Sequence, residues 1–442
     1  MYLNMILMSF GLNPDEFVDE PVNPLTADDG SLIYNIRQKV SKENRICPDC
    51  KIANAVVNDY NFVDIRFTKS IGKVEIVRIK KLRCKCKQCK KTFTIPVTGV
   101  REGAQISDDV INTMKNDFTT YLSFTEIADQ RHVSSRWVMD MFDKCYPAVP
   151  RLTLTEAICM DEISFKTKNG SYAAVIYDHH YGEIIDVIEN RQKAYLEEYF
   201  DGFNKKELEI VKYFITDMYQ AYADIQEKYF PKAIHIIDMF HVVQLLRNEL
   251  SRYRIMTMKQ FAIDNESLEH SFMKSHWKIF EKKKSKTLFN KTYKPKNEDY
   301  ELNVWCMMQK CFAINPKFWD MWSIYQEFLE WKNYSDYEGA LKFVERIKGK
   351  LEMMMDERTE AIAKTLHKWR VEIANAMSLK TNDKGRYSNS IAECINNKLK
   401  TIVKDANGYR NFIRFRKRVL LICSYGKNRK QVNRSPKKKK NK

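Results

Sequence analysis

Three short apolar runs, each ending on an aspartate, constrain the fold of this chain more than any other feature. The residues before Asp161, Asp217 and Asp238 are rich in β-branched and aromatic side chains, which is typical of buried strands. If these runs are neighbouring strands of one sheet, the carboxyl ends of the strands bring the three carboxylates to one edge. Ligand and metal sites of α/β sheets form at such an edge. The sequence therefore predicts an acidic site on a sheet between residues 155 and 250.

The order of the elements around these runs predicts an α/β (α+β) core. Strand-like segments at 172–177 and 184–188 follow the first run, with a hairpin turn between them. Helical segments then alternate with the two later runs. Three antiparallel strands followed by alternating helices and strands are typical of a ribonuclease H-like core. We predict that residues 155–250 form the first part of this core and residues 386–425 its last helices.

Length and charge indicate several domains and a polyanionic partner. The chain has 442 residues and a formal net charge of +18. This surplus favours nucleic acid as a partner, although a lysine-rich surface alone gives the same charge. We expect no membrane span, because the chain has no apolar run of about 18 residues. The odd number of cysteines, without a secretion signal, favours the cytoplasm and metal binding.

Two CxxC pairs predict a zinc ribbon over residues 46–97. A strand-like spacer separates the two pairs, whose members are Cys47, Cys50, Cys86 and Cys89. Four thiolates in two such pairs suit tetrahedral Zn2+ and leave no coordination position open, so the metal is expected to be structural. Cys84 lies two residues before Cys86 and is an alternative ligand, so the spacing leaves the choice between them open.

Residues 104–147 have a helical pattern throughout, and they predict a helix-turn-helix. Ser123 and Glu126 form a capping box at the start of the middle helix. The third helix would contact the major groove of DNA through its first residues. The residues that we expect at this contact are Ser134, Ser135 and Arg136. A plain three-helix packing unit has the same pattern, but the charge and the predicted ribbon favour DNA binding.

The remaining segments carry less chemistry. Residues 1–45 are weakly patterned, and we predict one short helix over residues 31–40. Residues 251–385 contain every tryptophan except Trp137 and no clear strand, which predicts a helical insertion with aromatic side chains in its core. Residues 426–442 form a basic tail that we expect to be disordered.

A helix at residues 386–425 would carry a polar stripe led by a glutamate. Helical spacing puts Glu393, Asn397 and Lys400 on one face, which can lie against the acidic edge of the sheet. Glu393 also fits a capping box with Ser390, which gives it a purely structural alternative. Two aspartates and a glutamate from distant segments commonly hold two divalent cations for phosphoryl transfer, and hard oxygen ligands favour Mg2+ or Mn2+.

The chain resembles the ISL3-family transposases of bacterial insertion sequences, which are DDE enzymes. The resemblance extends from about Cys47 to Arg418. Besides the two CxxC pairs, it rests on Met160-Asp161-Glu162-Ile163-Ser164, Thr216-Asp217-Met218-Tyr219, Phe230-Pro231-Lys232-Ala233, Asp238-Met239-Phe240-His241-Val242, Ser388-Asn389-Ser390-Ile391-Ala392-Glu393, Asn396-Asn397 and Gly408-Tyr409-Arg410-Asn411-Phe412.

The resemblance implies a ribonuclease H-like core with a helical insertion, preceded by a zinc ribbon and a helix-turn-helix. It also implies a catalytic triad that binds Mg2+ or Mn2+, namely Asp161, Asp217 and Glu393. Asp238 and His241 match a further family motif and are expected near the site, with Asp238 as a rival second metal ligand. Met239 stands where the family usually has arginine. Glu162 is expected to point to the opposite face of its strand from the preceding aspartate.

The sequence therefore predicts a multidomain DNA transposase in the bacterial cytoplasm, associated with the nucleoid. We expect residues 46–146 to bind terminal inverted repeats, and the acidic site to cut and join strands of double-stranded DNA. We also expect a homo-oligomer in the active complex and no membrane partner. The alternatives are a metal-dependent nuclease of the same fold and a non-catalytic zinc and helix-turn-helix regulator.

Overall fold

The protein folds as two compact units, which are described here from a computed structural model. The first unit comprises residues 1–150 and 399–442, and the second comprises residues 151–398. The structure describes residues 3–28, 30–67, 75–100, 105–166, 169–260, 267–285, 290–295, 299–381, 385–387, 390–406, 409 and 411–425, without the side chains of 109, 390–393 and 425. The predicted basic tail, 426–442, lies outside these residues, as do four members of the late motifs at 388, 389, 408 and 410.

A five-stranded sheet organises the first unit. Its elements are α1 (Leu3–Ser9), β1 (Leu25–Thr26), β2 (Leu32–Arg37), β3 (Val56–Phe67), β4 (Glu75–Lys85) and β5 (Thr92–Thr94). The strand order is β1-β2-β4-β3, with β5 also paired to β4. Strands β2 and β4 are parallel, and the other pairs are antiparallel. Val77 and Ile79 of β4 pack under α1, whereas Leu82 and Cys84 belong to a separate apolar cluster with Ala55 and Ile95.

The short helix predicted over residues 31–40 is wrong, because Leu32–Arg37 is a strand. Tyr34 and Ile36 are buried, and the residues that follow each of them are exposed. This two-residue period matches a sheet with one covered face. The pairing with β4 is parallel, so the partner strand comes some forty residues later in the chain.

Three helices complete the N-terminal part of the first unit: α2 (Asp108–Asp117), α3 (Phe124–Arg131) and α4 (Ser135–Cys145). The predicted capping box is present, with reciprocal hydrogen bonds between Ser123 and Glu126 at the start of α3. His132 ends α3 in the left-handed conformation, with φ of 51°, and so turns the chain toward α4. The rings of Phe118, Phe124 and Phe142 pack against one another between the helices.

The second unit is built on a mixed five-stranded sheet. Its strands are β6 (Ala157–Ser164), β7 (Tyr172–Asp178), β8 (Ile184–Ile188), β9 (Tyr213–Thr216) and β10 (Ile234–Ile237). Their order is β10-β9-β6-β7-β8. Strands β6, β9 and β10 are parallel, while β7 and β8 form an antiparallel meander with β6. Strands β9 and β10 end just before Asp217 and Asp238, as predicted, whereas β6 continues to Ser164, so Asp161 lies within its strand. The parallel pairing of β6 with β9 stops at Cys159, so Asp161 lies beyond the last parallel pair, at the same edge as Asp217.

Helices follow the strands of this sheet and cover its apolar side chains. They are α5 (Lys193–Asp201), α6 (Lys205–Leu208), α7 (Gln220–Tyr229) and α8 (Met239–Lys259). Ile158 and Met160 of β6 pack in one cluster with Phe214 of β9, Phe200 of α5 and Ile225 of α7. This apolar layer fixes the strands on which the acidic residues lie.

The segment predicted as a helical insertion is mainly helical in its described part. Its helices are α9 (Leu268–Ser275), α10 (Trp277–Glu281), α11 (Val304–Ile314), α12 (Pro316–Phe328), α13 (Tyr337–Met353), α14 (Glu357–Lys368) and α15 (Arg370–Ser378). A two-stranded pair, β11 (Thr292–Tyr293) and β12 (Leu302–Asn303), was not predicted. Trp322, Trp331 and Trp369 are buried as predicted, but Trp277 and Trp319 are each 39% exposed.

Two late helices return to the two units, α16 (Ser390–Asp405) and α17 (Phe412–Leu420). In the first unit, the guanidinium of Arg418 on α17 is buried and donates hydrogen bonds to the carbonyl oxygens of Phe118, Thr120 and Leu122. These carbonyls belong to the connection between α2 and α3, so the single side chain of Arg418 stabilises that turn through three hydrogen bonds. Across the described ranges, no helix combines the length and apolar character needed to cross a membrane.

We predict that the Arg418→Met substitution lowers the free energy of unfolding by about 3 kcal/mol, because buried carbonyl oxygens lose their donors. The measurement is urea unfolding of the full chain, followed by circular dichroism. Arg37→Met is the control, since Arg37 makes an exposed ion pair with Glu20 and its loss should cost under about 1 kcal/mol. Equal effects of the two substitutions would contradict the prediction.

Candidate functional site

Four cysteines converge in the first unit. The Sγ atoms of Cys47 and Cys89 are 3.7 Å apart, and those of Cys50 and Cys86 are 3.4 Å apart. All four sulfur atoms lie within 4.8 Å of one another. In a tetrahedral zinc site with Zn–S bonds of about 2.3 Å, sulfurs are about 3.8 Å apart. The donor set and its spacing therefore fit one Zn2+ ion.

Both CxxC pairs adopt the same local conformation. The residues that follow the pairs, Lys51 and Lys90, have φ of 58° and 62°, so each pair ends in a tight left-handed turn. Backbone N–H groups in the second turn donate to the Cys86 sulfur and lower the pKa of this thiol to about 6. Hydrogen bonds to the other three sulfurs hold the proton on Cys50 and raise its pKa to about 12. A bound cation would replace that proton, which is the behaviour expected of a thiolate metal site.

The structure brings Cys86 into this cluster and puts Cys84 elsewhere. Cys84 is the penultimate residue of β4 and is fully buried in the apolar cluster around Leu82 and Ile95. Burial raises the pKa of its thiol, which disfavours a thiolate. Cys86 lies beyond the strand end, where the chain has begun to turn. The sequence left the choice between Cys84 and Cys86 open. In the structure, the strand ends between these two residues, so only Cys86 lies in the turn with the other cysteines.

In the second unit, Asp161 is held by two hydrogen bonds. One carboxylate oxygen accepts from the backbone N–H of Glu162 at 2.8 Å, and the other accepts from the side-chain amide of Asn396 at 2.9 Å. The Asp161 side chain is on β6 and is largely buried. Asn396 is on α16, three residues after Glu393, and residues at that spacing share a face of a helix. The Glu393 side chain itself lies outside the described residues.

Asp217 follows β9 at the same edge of the sheet. Its carboxylate accepts a hydrogen bond from the backbone N–H of Tyr219 at 3.2 Å. Burial, with the negative charges of Glu162 and Asp161, raises the pKa of Asp217 to about 6, while His241 opposes this shift. A divalent cation would offset both the desolvation and the repulsion. The oxygen donors at this edge therefore fit Mg2+ or Mn2+.

Glu162 influences this edge more than its position in the strand suggested. Alternation along a strand predicts that it points away from the face of Asp161. Its charge nevertheless acts on Asp217 more strongly than that of Asp161 does. The Glu162 carboxylate accepts a hydrogen bond from Arg191, whose guanidinium stacks against Tyr219. Glu162 thus belongs to the immediate surroundings of the acidic edge.

Asp238 has a structural role in addition to its predicted place near the site. It is the N-cap of α8, where its carboxylate accepts from the backbone N–H of Phe240 at 3.2 Å. Its other oxygen is 3.8 Å from Nε2 of His241. The charges of Asp161 and Asp238 both raise the pKa of the buried Tyr177 hydroxyl, after the larger effect of burial.

The described carboxylates do not by themselves form a complete metal site. Within the part of the chain that the structure covers, the four cysteines are the one group of three or more metal-ligating side chains within 4.8 Å of one another. The side chain of Glu393, which is predicted to bind the cations together with Asp161 and Asp217, lies outside the described residues, so this statement does not cover it.

Arg191 was not singled out from the sequence, because a lone arginine between a strand and a helix carries no motif or spacing signal.

The residues predicted to contact DNA lie at the start of α4 in the first unit. The Ser134 hydroxyl accepts from the backbone N–H of Trp137 at 3.2 Å, so it caps the helix. Ser135 is half-buried, and Arg136 is exposed on the first turn. Ser134 is exposed as well, but Arg136 is the member of this group that offers a charged side chain to a large ligand.

Comparison with known proteins identifies the family. Residues 158–419, more than half of the 442, match the profile of a transposase family, ISL3. The chain belongs to the ISL3 transposase family. A segment of 100 residues is also 30% identical to an ATP-dependent protease of Lactococcus lactis subsp. lactis, and covers 23% of this ISL3 chain and 29% of that protein. The match thus spans less than a third of that relative. The name "ATP-dependent protease" describes the relative and is not transferred to this ISL3 chain.

We predict that the purified ISL3 protein carries one zinc ion per chain and that Cys86→Ser abolishes zinc binding, because three thiolates and a hydroxyl form a weaker site. Cys84→Ser is the matched control, two residues away, and should retain the ion. Elemental analysis by mass spectrometry after desalting measures both. Zinc retained by Cys86→Ser and lost by Cys84→Ser would assign the fourth ligand to Cys84 instead.

Proposed function

We propose that this protein is a DNA transposase that binds the ends of its element through the first unit and cuts and joins strands at the acidic edge of the second unit. The match of residues 158–419 to the ISL3 transposases carries this proposal. The positions of Asp161 and Asp217, each beyond the last parallel pair of β6 and β9, support it, as does the hydrogen bond from Asn396. The partner is double-stranded DNA, namely the terminal inverted repeats and the target.

The proposed catalytic domain has a ribonuclease H-like arrangement. Three antiparallel strands come first in the chain, and two further strands then extend the sheet in parallel beside β6. The mainly helical segment between β10 and α16 contains the proposed insertion at residues 251–385. The supporting observation is the strand order together with the directions of the strands.

The residues proposed to hold the divalent cations are Asp161, Asp217 and Glu393. When bound, such ions activate an oxygen nucleophile and stabilise the leaving oxygen of a phosphodiester. The two hydrogen bonds to Asp161 fix the orientation of its carboxylate, and the backbone N–H of Tyr219 does the same for Asp217. Water is the proposed nucleophile for cleavage, and the freed 3′-hydroxyl is the proposed nucleophile for joining. Asp238 caps α8 beside the site and is the alternative to Asp217 as the second metal ligand.

The proposed DNA-binding part combines a zinc ribbon with the helix-turn-helix of residues 104–147. The four-cysteine cluster would fix the turns of the ribbon as a structural zinc site. Arg136 would contact DNA, with Ser134 and Ser135 orienting the start of α4. A homo-oligomer in the active complex is part of the proposal, since the two ends of an element must be cut and joined together.

We predict that Asp161→Asn lowers DNA cleavage at least about 1000-fold, or about 4 kcal/mol of transition-state stabilisation, because a neutral amide replaces a metal-binding carboxylate. The assay uses a plasmid that carries the DNA flanking the gene, incubated with Mg2+, while a gel-shift assay follows binding of the same DNA. The control is Asp224→Asn, whose carboxylate pairs with Lys193 on the surface of the same unit.

Asp224→Asn should leave cleavage unchanged, and Asp161→Asn should leave DNA binding unchanged. If the Asp161→Asn variant cleaves DNA at the wild-type rate, the proposed site is refuted. A second assay supplies ends that are already cut. Joining of these ends to a target plasmid distinguishes a transposase from a nuclease that only hydrolyses.

We predict that Arg136→Ala weakens binding to the element ends about 10-fold, because an exposed guanidinium on the first turn of α4 is lost. Lys144→Ala is the control, since Lys144 carries the same charge in the last turn of the same helix. Fluorescence anisotropy at two salt concentrations measures both variants. If the two variants bind equally well, α4 does not contact DNA through its N-terminal end.

A further inference from the structure

The Arg191 side chain is held by three side-chain contacts beside the acidic edge of the second unit. It lies in the loop between β8 and α5 and donates a hydrogen bond to the Glu162 carboxylate. Its guanidinium stacks between two aromatic rings, 4.6 Å from the centroid of Tyr172 and 4.7 Å from that of Tyr219. The Arg191 side chain is 28% exposed and the Glu162 side chain 24%. A planar cation is suited to this position, because it stacks on both rings while it pairs with a carboxylate.

Two of the three partners of Arg191 are neighbours of the proposed metal ligands. Glu162 follows Asp161 directly on β6, and Tyr219 supplies the N–H that binds the Asp217 carboxylate. Arg191 therefore links the chain around one aspartate to the chain around the other. Its own contacts are with the flanking residues.

The charge of Glu162 needs a counterion at this position. Besides burial, the negative charge of Glu162 raises the pKa of Asp217 even though Glu162 is paired with Arg191. Without the guanidinium, a third carboxylate would stand unpaired at an edge where two aspartates are proposed to bind cations. Free carboxylates beside a divalent ion readily become ligands themselves. An unpaired Glu162 would then attract the ion and displace it from its productive position.

We propose that Arg191 is a positioning residue, which keeps Glu162 out of the metal site and fixes the loop that carries Tyr219. This inference rests on the proposed function, because it assumes divalent cations at Asp161 and Asp217. It differs from a direct contact of Arg191 with DNA, because its effect is transmitted through Glu162. Removing the negative charge of Glu162 should therefore compensate for the loss of Arg191.

The test compares Arg191→Gln, Glu162→Gln and the double variant in the zinc-loaded full chain. Binding of Mn2+ alone is measured by electron paramagnetic resonance, and the rate of plasmid cleavage is measured as a function of Mg2+ concentration. Asp161→Asn is included to test the underlying site. Thermal unfolding is recorded for every variant.

A second ion pair of the same unit provides a matched control. Arg151 makes a two-point ion pair with Glu207 and lies 3.7 Å from the ring centroid of Phe203. The exposed fractions of these two side chains, 25% and 18%, are close to those of the Arg191 pair. The variants Arg151→Gln and Glu207→Gln therefore remove a similar stacked pair. Its two members precede β6 and β9 in the chain, whereas the acidic residues lie within or after these strands.

Opposite shifts in Mn2+ affinity are expected from the two single substitutions. Arg191→Gln adds one net negative charge beside the site and should tighten Mn2+ binding about fivefold, whereas Glu162→Gln should weaken it about fivefold. Cleavage by Arg191→Gln at saturating Mg2+ should fall about 10-fold, because the ion is drawn to Glu162. The double variant should recover both quantities to within about threefold of the wild type. The Arg151 and Glu207 variants should leave Mn2+ binding unchanged.

Three outcomes would overturn the inference. The first is a Mn2+ affinity of Arg191→Gln equal to that of Arg151→Gln. The second is a double variant that cleaves as slowly as Arg191→Gln, which would indicate a direct contact with DNA. The third is weakened Mn2+ binding in both single variants, which would indicate a purely structural role. If Arg191→Gln does not fold, the double variant is compared with Glu162→Gln, and a double variant that binds Mn2+ no more tightly than Glu162→Gln would overturn the inference.

The failure of the proposed function gives a different result. If Asp161→Asn binds Mn2+ and cleaves DNA like the wild type, the metal site itself is wrong. If Asp161→Asn loses both properties while Arg191→Gln behaves like Arg151→Gln, only the role of Arg191 is wrong.

Discussion

A hydrogen bond between Asn396 and Asp161 closes a loop of 235 residues within the second unit. It joins the middle of the sheet to a helix that the chain reaches only after the entire helical insertion. Burial makes the bond important, because a largely buried carboxylate without donors is costly. The amide satisfies one oxygen of Asp161, and the same helix face carries Glu393 one turn earlier. The insertion can therefore be long, provided that α16 returns to this position.

Each of the three aspartates near the acidic edge has a structural partner as well as a predicted or proposed chemical role. Asp161 and Asp217 accept from backbone N–H groups one and two residues later, and Asp238 caps α8. The structural interpretation of a strand-end aspartate is thus partly right for Asp217 and Asp238, whereas Asp161 lies within β6. What distinguishes Asp217 is its electrostatic environment, since burial and two carboxylates favour its protonated form.

The sequence predicted best the features that depend on nearby residues. The capping box at Ser123, the serine cap at Ser134 and the strands that lead to Asp217 and Asp238 all follow from local patterns. The strand at Leu32–Arg37 was missed, because it is stabilised by a parallel partner far along the chain. Short apolar runs fit either a helix or a strand until their partner is known. The choice between Cys84 and Cys86 depended similarly on where β4 ends.

Arg191 illustrates a further limit of sequence reasoning. Its partners come from β6, β7 and the start of α7, and no spacing in the chain connects them. A cation with partners from three elements is recognisable only when the sheet has been assembled. The same is true of Arg418, which is the largest fully buried side chain among the described residues and which donates to three turn carbonyls of another segment.

Donor chemistry keeps the two proposed metal sites of this protein separate. The four thiolates of the first unit are soft ligands that fill a tetrahedron, so they favour Zn2+ and leave no position for a substrate. The acidic edge of the second unit offers hard oxygen donors at Asp161 and Asp217, which favour Mg2+ or Mn2+ and tolerate bound water. A shared ligand type would allow zinc to occupy both sites. In the proposed function, the division into sulfur and oxygen donors would let one ion stabilise the fold while others take part in chemistry.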